Sequence, residues 1–348
     1  MASLTIAAQY SKKILLVLSI FFGGLLLLFI IFTFGKSIFE MIYPPNPDPA
    51  LVAFGKLPEI PFAEGVQPPK NTAYKIETVT GDLKELNTSL KVFAIDTTSV
   101  PKFGDLASAN DKAQKTQFAL PPTSVVGDVA TYVDSKNKSK TITINTITGD
   151  MSQTSDYINN TDLITNQIKD EEPVKSMAQA FLATFGMNPA NYPQEKITTI
   201  RYKIDGGKLT EAISGSSANL IRVDFNRADL DNIPVVYSTW DKPKVTVLAS
   251  AGEVVSAKAT LSKIQEYRFS TYPLKGINKA FLDLKAGKAI YNKDLKGPEF
   301  SIRDVSLAYL DTDAVQTFLE PVYVFSSDEG LAAYVRAVAD NWITTKPN

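Results

Sequence analysis

From Ile14 to Phe34 the chain reads ILLVLSIFFGGLLLLFIIFTF, 21 residues without a charge. As a helix rising about 1.5 Å per residue, this run would measure roughly 32 Å, close to the ~30 Å hydrocarbon core of a bilayer. Lys12 and Lys13 precede it with no acid before them, while Lys36, Glu40 and Asp48 follow. The positive-inside rule then places residues 1–13 as a cytoplasmic tail and everything after the run outside the cytoplasm. A cleaved signal peptide would have a shorter apolar core, about 7–15 residues, and a small-residue cleavage site. The exit TFGKSIFEMIYPP offers no such site, so the expectation is an uncleaved single-pass anchor in the cell membrane, with the lipid bilayer held through residues 14–34.

The 348 residues include no cysteine and no histidine. Disulfides, thiol nucleophiles and Cys-based metal sites are thereby excluded, as are Ser-His-Asp triads and HExxH zinc sites. What remains is carboxylate pairs, Ser-Lys dyads, Tyr or Lys acid–base chemistry and all-oxygen cation sites, a balance that favours a non-enzyme with no cofactor. A formal net charge of −1 argues against the broad basic face that nucleic acid demands.

After the anchor, residues 35–70 form a proline-rich spacer containing YPPNPDPALVAFGKLPEIPFAEGVQPPK. Proline fixes φ and removes backbone donors, so the spacer should be extended, partly polyproline II and semi-rigid. Its apolar residues Phe54, Leu57, Ile60 and Phe62 should dock on the chain's own first domain, or failing that on another protein.

Beyond the spacer one phrase occurs twice, IETVTGDL (76–83) and INTITGDM (144–151). Alternating β-branched residues before each glycine signal strands, and Gly-Asp supplies a turn. Asp82 and Asp150 are therefore expected to be turn residues. KVTVLASAGEVVSAKATL (244–261) repeats the strand–turn–strand grammar. Helices are expected at DEEPVKSMAQAFLATFGMNP (170–189), PLKGINKAFLDLKAGK (273–288) and, more weakly, FGDLASANDKAQKTQF (103–118). The first has acids at its start, Pro173 at its opening position and an apolar stripe of Val174, Met177, Ala178, Phe181, Leu182 and Phe185. Helices alternating with hairpins predict an α+β fold with antiparallel sheets. The expected domains are 71–168 and 171–348, the latter divisible into 171–265 and 266–348.

Helix text followed by ITINTITGDMSQ and VTVLASAGEVVSA resembles PepSY-like modules and the YycH/YycI-type accessory proteins of a cell-wall sensor kinase. So does the C-terminal order YRFSTYPLKGINKAFLDLKAGKAIY, IRDVSLAYLDT, LEPVYVFSSDEGLAAYVRAV, which covers about the last quarter of the chain. The resemblance implies a single transmembrane helix followed by repeated helix-plus-antiparallel-sheet (PepSY-like) units, and a regulatory or binding role.

No motif carries chemistry in good context. Ser99-Val-Pro-Lys102 contains proline, and Ser135-Lys-Asn-Lys138 lies in a polar, turn-like stretch, whereas a Ser-Lys enzyme needs its serine at a buried helix start. DFNRADLDN (224–232) gathers acids but lacks the glycine of a calcium loop. LDTDAVQTFLE (310–320) reads as a capped helical turn. Phe54, Leu57, Trp240 and Trp342 are the expected interaction residues. The function so expected is non-catalytic: extracytoplasmic domains that bind or regulate a membrane or envelope protein partner. A structural role in an envelope assembly and a carbohydrate-binding or hydrolytic module are the alternatives.

Overall fold

A computed structural model describes residues 15–26, 29, 50–61, 72–97, 105–213, 218–238, 243–328 and 330–344. The chain divides into two compact units, residues 1–48 and 49–348.

In the first unit, residues 15–26 are helical and exposed. Among the described residues no helix is long and apolar enough to cross a membrane. The expected transmembrane helix over 14–34 is therefore not part of the observed fold. Positions 14, 27, 28 and 30–34 of that run lie outside the described residues.

In the second unit strand predominates, which corrects the expected α+β arrangement of small repeated units. Its strands are β1 (Ala73–Ile76), β2 (Ser89–Ile95), β3 (Ser124–Val126), β4 (Val129–Val133), β5 (Thr141–Asn145), β6 (Met151–Thr154), β7 (Ile197–Asp205), β8 (Lys208–Glu211) and β9 (Leu220–Phe225). They continue with β10 (Val235–Tyr237), β11 (Val245–Ala249), β12 (Val254–Ala259), β13 (Ile264–Pro273), β14 (Ile290–Tyr291), β15 (Glu299–Ile302), β16 (Asp304–Asp311), β17 (Phe318–Ser326) and β18 (Ala332–Arg336). A nine-stranded sheet runs β3-β4-β5-β6-β12-β11-β9-β7-β8. A seven-stranded sheet runs β10-β16-β17-β18-β14, with β2 and β13 attached through β17. β1 pairs with β15 in a parallel two-stranded ribbon. Hairpins expected to close separate modules instead join edge to edge: β6 pairs antiparallel with β12, Met151 opposite Ala259. One sheet thus draws strands from both sides of the 168/171 boundary.

The helices are few and serve as covers: α1 (Asp105–Lys115), α2 (Thr161–Thr165), α3 (Glu172–Thr184) and α4 (Ile277–Lys285). α1 and α3 lie on one face of the nine-stranded sheet. There Ala109, Ala113, Ala178, Leu182 and Phe185 pack against Ile142, Ile144, Val223 and Val247. On the opposite face Leu163 joins Ile204, Leu220, Leu248 and Val255. α4 sets Ile277, Ala280 and Leu284 against Tyr291, Tyr323 and Phe325 of the seven-stranded sheet.

The repeated phrase is a turn in both copies, embedded differently. Thr141–Asn145 and Met151–Thr154 form a hairpin in which the Asn145 side chain accepts from the backbone N–H groups of Ile147 and Thr148. In the first copy the strand stops at Ile76, and the Thr78 hydroxyl donates to the Asp82 carbonyl at 2.7 Å. Gly81 (φ +77°) and Gly149 (φ +83°) both occupy the left-handed region, which is why the phrase keeps its glycine. Residues 310–320 correct the expected helical turn. They are the end of β16, the start of β17 and the 312–317 connection between them, held by Gln316, whose carbonyl accepts from the Thr312 N–H at 2.7 Å and whose amide donates to the Leu310 carbonyl at 3.0 Å.

Candidate functional site: the seam between the sheets

Four connections cross from one large sheet to the other. Residues 96–123 join β2 to β3 and carry α1, residues 226–234 join β9 to β10, the link after Tyr237 returns to β11, and residues 260–263 join β12 to β13. Recesses open where these crossings leave the sheets incompletely packed, a common setting for binding sites.

One recess is largely apolar, with a volume of about 390 Å³. Thr198 and Ile200 of β7, Val235, Val236 and Tyr237 of β10, Pro243 and Tyr334 form its walls. Its polar floor is already satisfied. Arg222 donates to Asp224 Oδ2 through Nε (3.1 Å) and Nη2 (3.0 Å), and the Thr246 hydroxyl donates to Asp224 Oδ1 at 2.8 Å. Burial, with the charge of Asp311 adding, pushes the Tyr237 hydroxyl far above the ordinary tyrosine range. That hydroxyl accepts the Arg227 backbone N–H at 3.2 Å.

A second recess, of about 410 Å³, is basic. Lys112 reaches it from α1, Arg227 from the β9–β10 connection and Lys263 from the β12–β13 connection, while Tyr192 and the 146–149 turn complete the wall. The Lys112 Nζ sits 3.8 Å from where a Cβ on Gly149 would stand. Burial, then the neighbouring charge of Lys263, lowers the Lys112 pKa against the opposing pull of Asp111. Arg227 is only 5% exposed. Its Nη1 donates to the Ser262 carbonyl at 3.3 Å and its Nη2 reaches Glu266 at 3.5 Å, while Nε has no hydrogen-bond partner. Tyr192, buried beside it, has its hydroxyl pKa raised by that burial despite the arginine's charge.

The third recess, about 250 Å³, adjoins the second along Thr148 and residues 261–263. The Lys244 Nζ donates to Asp311 Oδ1 at 2.5 Å and to the Ser262 hydroxyl at 3.1 Å, and that hydroxyl donates to the same carboxylate oxygen at 3.1 Å. In this triangle the lysine is a donor twice over, not the base that a Ser-Lys enzyme requires. Asp150, from the repeated phrase, accepts the Leu261 N–H at 3.3 Å, a fastening rather than a reactive group.

The other sequence candidates fall elsewhere. The acids of DFNRADLDN each meet their own cation: Asp224 with Arg222, Asp229 with Lys196 at 2.8 Å, Asp231 with Lys91 at 2.9 Å. Ser135 is exposed and donates to the Gln117 carbonyl. Ser99, Lys102 and Trp240 lie outside the described residues. Phe54, Leu57 and Trp342 do come together, but away from the seam, in a cluster with Val92, Tyr272, Phe318 and Ile343. The Phe54 ring stacks on Phe318 at 4.9 Å between centroids, and Trp342 meets Tyr272 edge-on at 6.3 Å. Leu57 is fully buried and so offers no surface to a partner. Sequence reasoning missed Lys112, Arg227 and Lys263, three cations far apart in the chain that only the sheet crossings bring together. Arg227 stood inside a stretch notable for its acids.

No protein-family model matches the chain, and no curated protein matches it. Among solved structures, an uncharacterized protein from Eubacterium rectale ATCC 33656 is similar, with 11% identity over 80% of this chain and 87% of that one. The TM-score of 0.39 is too low to bear on fold or function.

Proposed function

We propose that this chain is a non-catalytic, membrane-associated binding protein whose 49–348 unit holds a partner protein at the cell envelope. The observation that carries this reading is the apolar recess of about 390 Å³ between β7, β9 and β10. Its size suits a bulky apolar side chain projecting from a partner, the kind of anchor that dominates protein interfaces. Because Asp224 is already bonded to Arg222 and Thr246, such a side chain could enter without stranding a buried charge. The apolar run 14–34 supplies membrane association, and the resemblance to accessory proteins of a sensor kinase agrees with a role exercised through association.

The test is co-purification of the full chain from gently solubilised membranes after crosslinking. A protein recovered in fixed stoichiometry with the wild type should be lost with Val236→Asp, while the variant keeps its thermal midpoint. Val79→Asp, at an exposed turn position, serves as the control. Equal recovery with Val236→Asp and wild type would remove the recess from the interface, and recovery of the chain in the soluble fraction would remove the membrane from the reading.

A further inference from the structure

The basic recess has no part in that reading, yet its lining sets three cations against one carboxylate. Lys112 and Lys263 close on the same space, and neither makes an ion pair or side-chain hydrogen bond among the described residues. Like charges brought together at a partly desolvated site raise the energy of the fold unless something else compensates. Asp105 is the one carboxylate among the lining residues, set against three cations. Of the acids that flank the wall, Asp111 pairs outward with Lys115 at 2.7 Å, and Glu266 offsets Arg227 only through a long 3.5 Å contact.

Arg227 is an independent sign of the same imbalance. A guanidinium offers five donors in a planar fork. Here it is almost wholly buried, one donor is unmatched, and its contacts to Ser262 and Glu266 are long. Arginines buried this deeply are ordinarily paired. The remaining wall adds neutral donors: the hydroxyls of Ser108 and Thr148 and the side-chain amide of Asn191.

We propose that this recess is an anion site that takes the phosphate group of a small phosphorylated ligand between Lys112, Lys263 and Arg227. Phosphate fits better than a single carboxylate because it brings up to two negative charges and enough acceptor oxygens for three cations at once. A volume of about 410 Å³ exceeds what the phosphate alone fills, which leaves space for an organic remainder beside Asn188 and Asn191.

Pyrophosphate is the probe. Calorimetric titration into the full chain in nonionic detergent, in low-salt phosphate-free buffer, should show one saturable site per chain that weakens as salt is added. Lys263→Gln, at an exposed side chain that will not compromise folding, should weaken binding at least about tenfold, the scale of one charge-assisted hydrogen bond. Lys112→Gln should do the same while raising the thermal midpoint of the unliganded protein, because it removes the repulsion. Lys208→Gln on the distant β8 edge should change nothing, and Val236→Asp should retain pyrophosphate binding, which separates this site from the partner recess. Micelles doped with phosphatidylglycerol or phosphatidylcholine form the other arm. Binding of the anionic lipid alone, lost in the same lysine variants, would make the phosphate a lipid headgroup's. Absence of binding in both arms, or binding unchanged in Lys112→Gln and Lys263→Gln, overturns the proposal.

Discussion

The Lys244 ammonium meets the Asp311 carboxylate at 2.5 Å with both side chains buried, and the contact ties the start of β11 to the end of β16. These strands belong to different sheets, so the pair is a clamp across the seam. Removing one partner leaves the other charge buried and uncompensated. Lys244→Met or Asp311→Leu should each cost about 3–5 kcal/mol, whereas the two substitutions combined should cost much less than the sum of the singles. Urea denaturation of the four proteins gives the cycle directly. Single variants within ~1 kcal/mol of wild type would show that the clamp is not structural.

Leu57 presents a different expectation from the one its sequence context suggests. Its side chain is fully buried, its N–H donates to the Trp342 carbonyl at 2.8 Å, and its carbonyl accepts from the Thr344 N–H at 2.7 Å. The spacer here acts as a strap across the chain's own core. Leu57→Ala should lose about 2–5 kcal/mol and expose the segment to limited proteolysis. Half-buried Phe54, replaced by alanine, should lose less. Loss of a co-purifying partner on Leu57→Ala with stability intact would return this residue to the surface role.

How far the fold is legible in the sequence depends on how local its determinants are. α3 forms over Glu172–Thr184 because acids, Pro173 and a stripe at helical spacing all act within a few residues. The β11–β12 hairpin is readable for the same reason, with its turn between two alternating runs. Sheet continuity is not. Whether β5–β6 ends a module or continues into β12 depends on which edge Met151 to Gln153 finds, and no local residue encodes that. Parallel pairings such as Ala73 with Glu299 and Val235 with Tyr309 join segments distant in the chain. The seam inherits this opacity: Lys112 and Lys263 read as ordinary surface lysines until the crossings place them together. The two copies of the repeated phrase differ for a reason visible only in structure. Asn145 caps its own turn within a hairpin, while Thr78 bonds Asp82 and ends the strand early.

The apolar stripe of α3 is graded rather than uniform. Val174, Ala178 and Leu182 are buried, whereas Met177 and Phe181 are partly exposed, the Phe181 ring lying 5.2 Å from that of Phe185. Leu182→Ala should therefore cost about 2–5 kcal/mol, and Phe181→Ala less despite its larger side chain. Paired denaturation curves decide it. The reverse order would mean that the helix is rotated on the sheet from the orientation described.

Glu320 supplies a prediction that pH alone can read. It lies in β17, only 2% exposed, with Oε2 lacking a hydrogen-bond partner. Burial pushes its pKa from 4.5 to about 8, against the opposing charge of Arg336. In the folded protein the carboxyl thus keeps its proton to about pH 8, while in the unfolded chain it ionises near 4.5. Between those values the native state binds more protons, so stability must fall as pH rises. The contribution is flat below about 4.5 and again above about 8, and its total is at most a few kcal/mol. No histidine titrates in this window, since the chain has none. Asp283 is buried too, but Lys275 and Lys288 outweigh that burial and lower its pKa, so its own effect falls below the window. Glu320→Gln keeps the shape and removes the ionisation. It should be nearly neutral at pH 4.5, stabilising at pH 8.5, and should flatten the decline between. Urea midpoints for both proteins at these two pH values test it. Parallel declines in wild type and variant would show that Glu320 is ionised in the fold at neutral pH, with Arg336 carrying its charge.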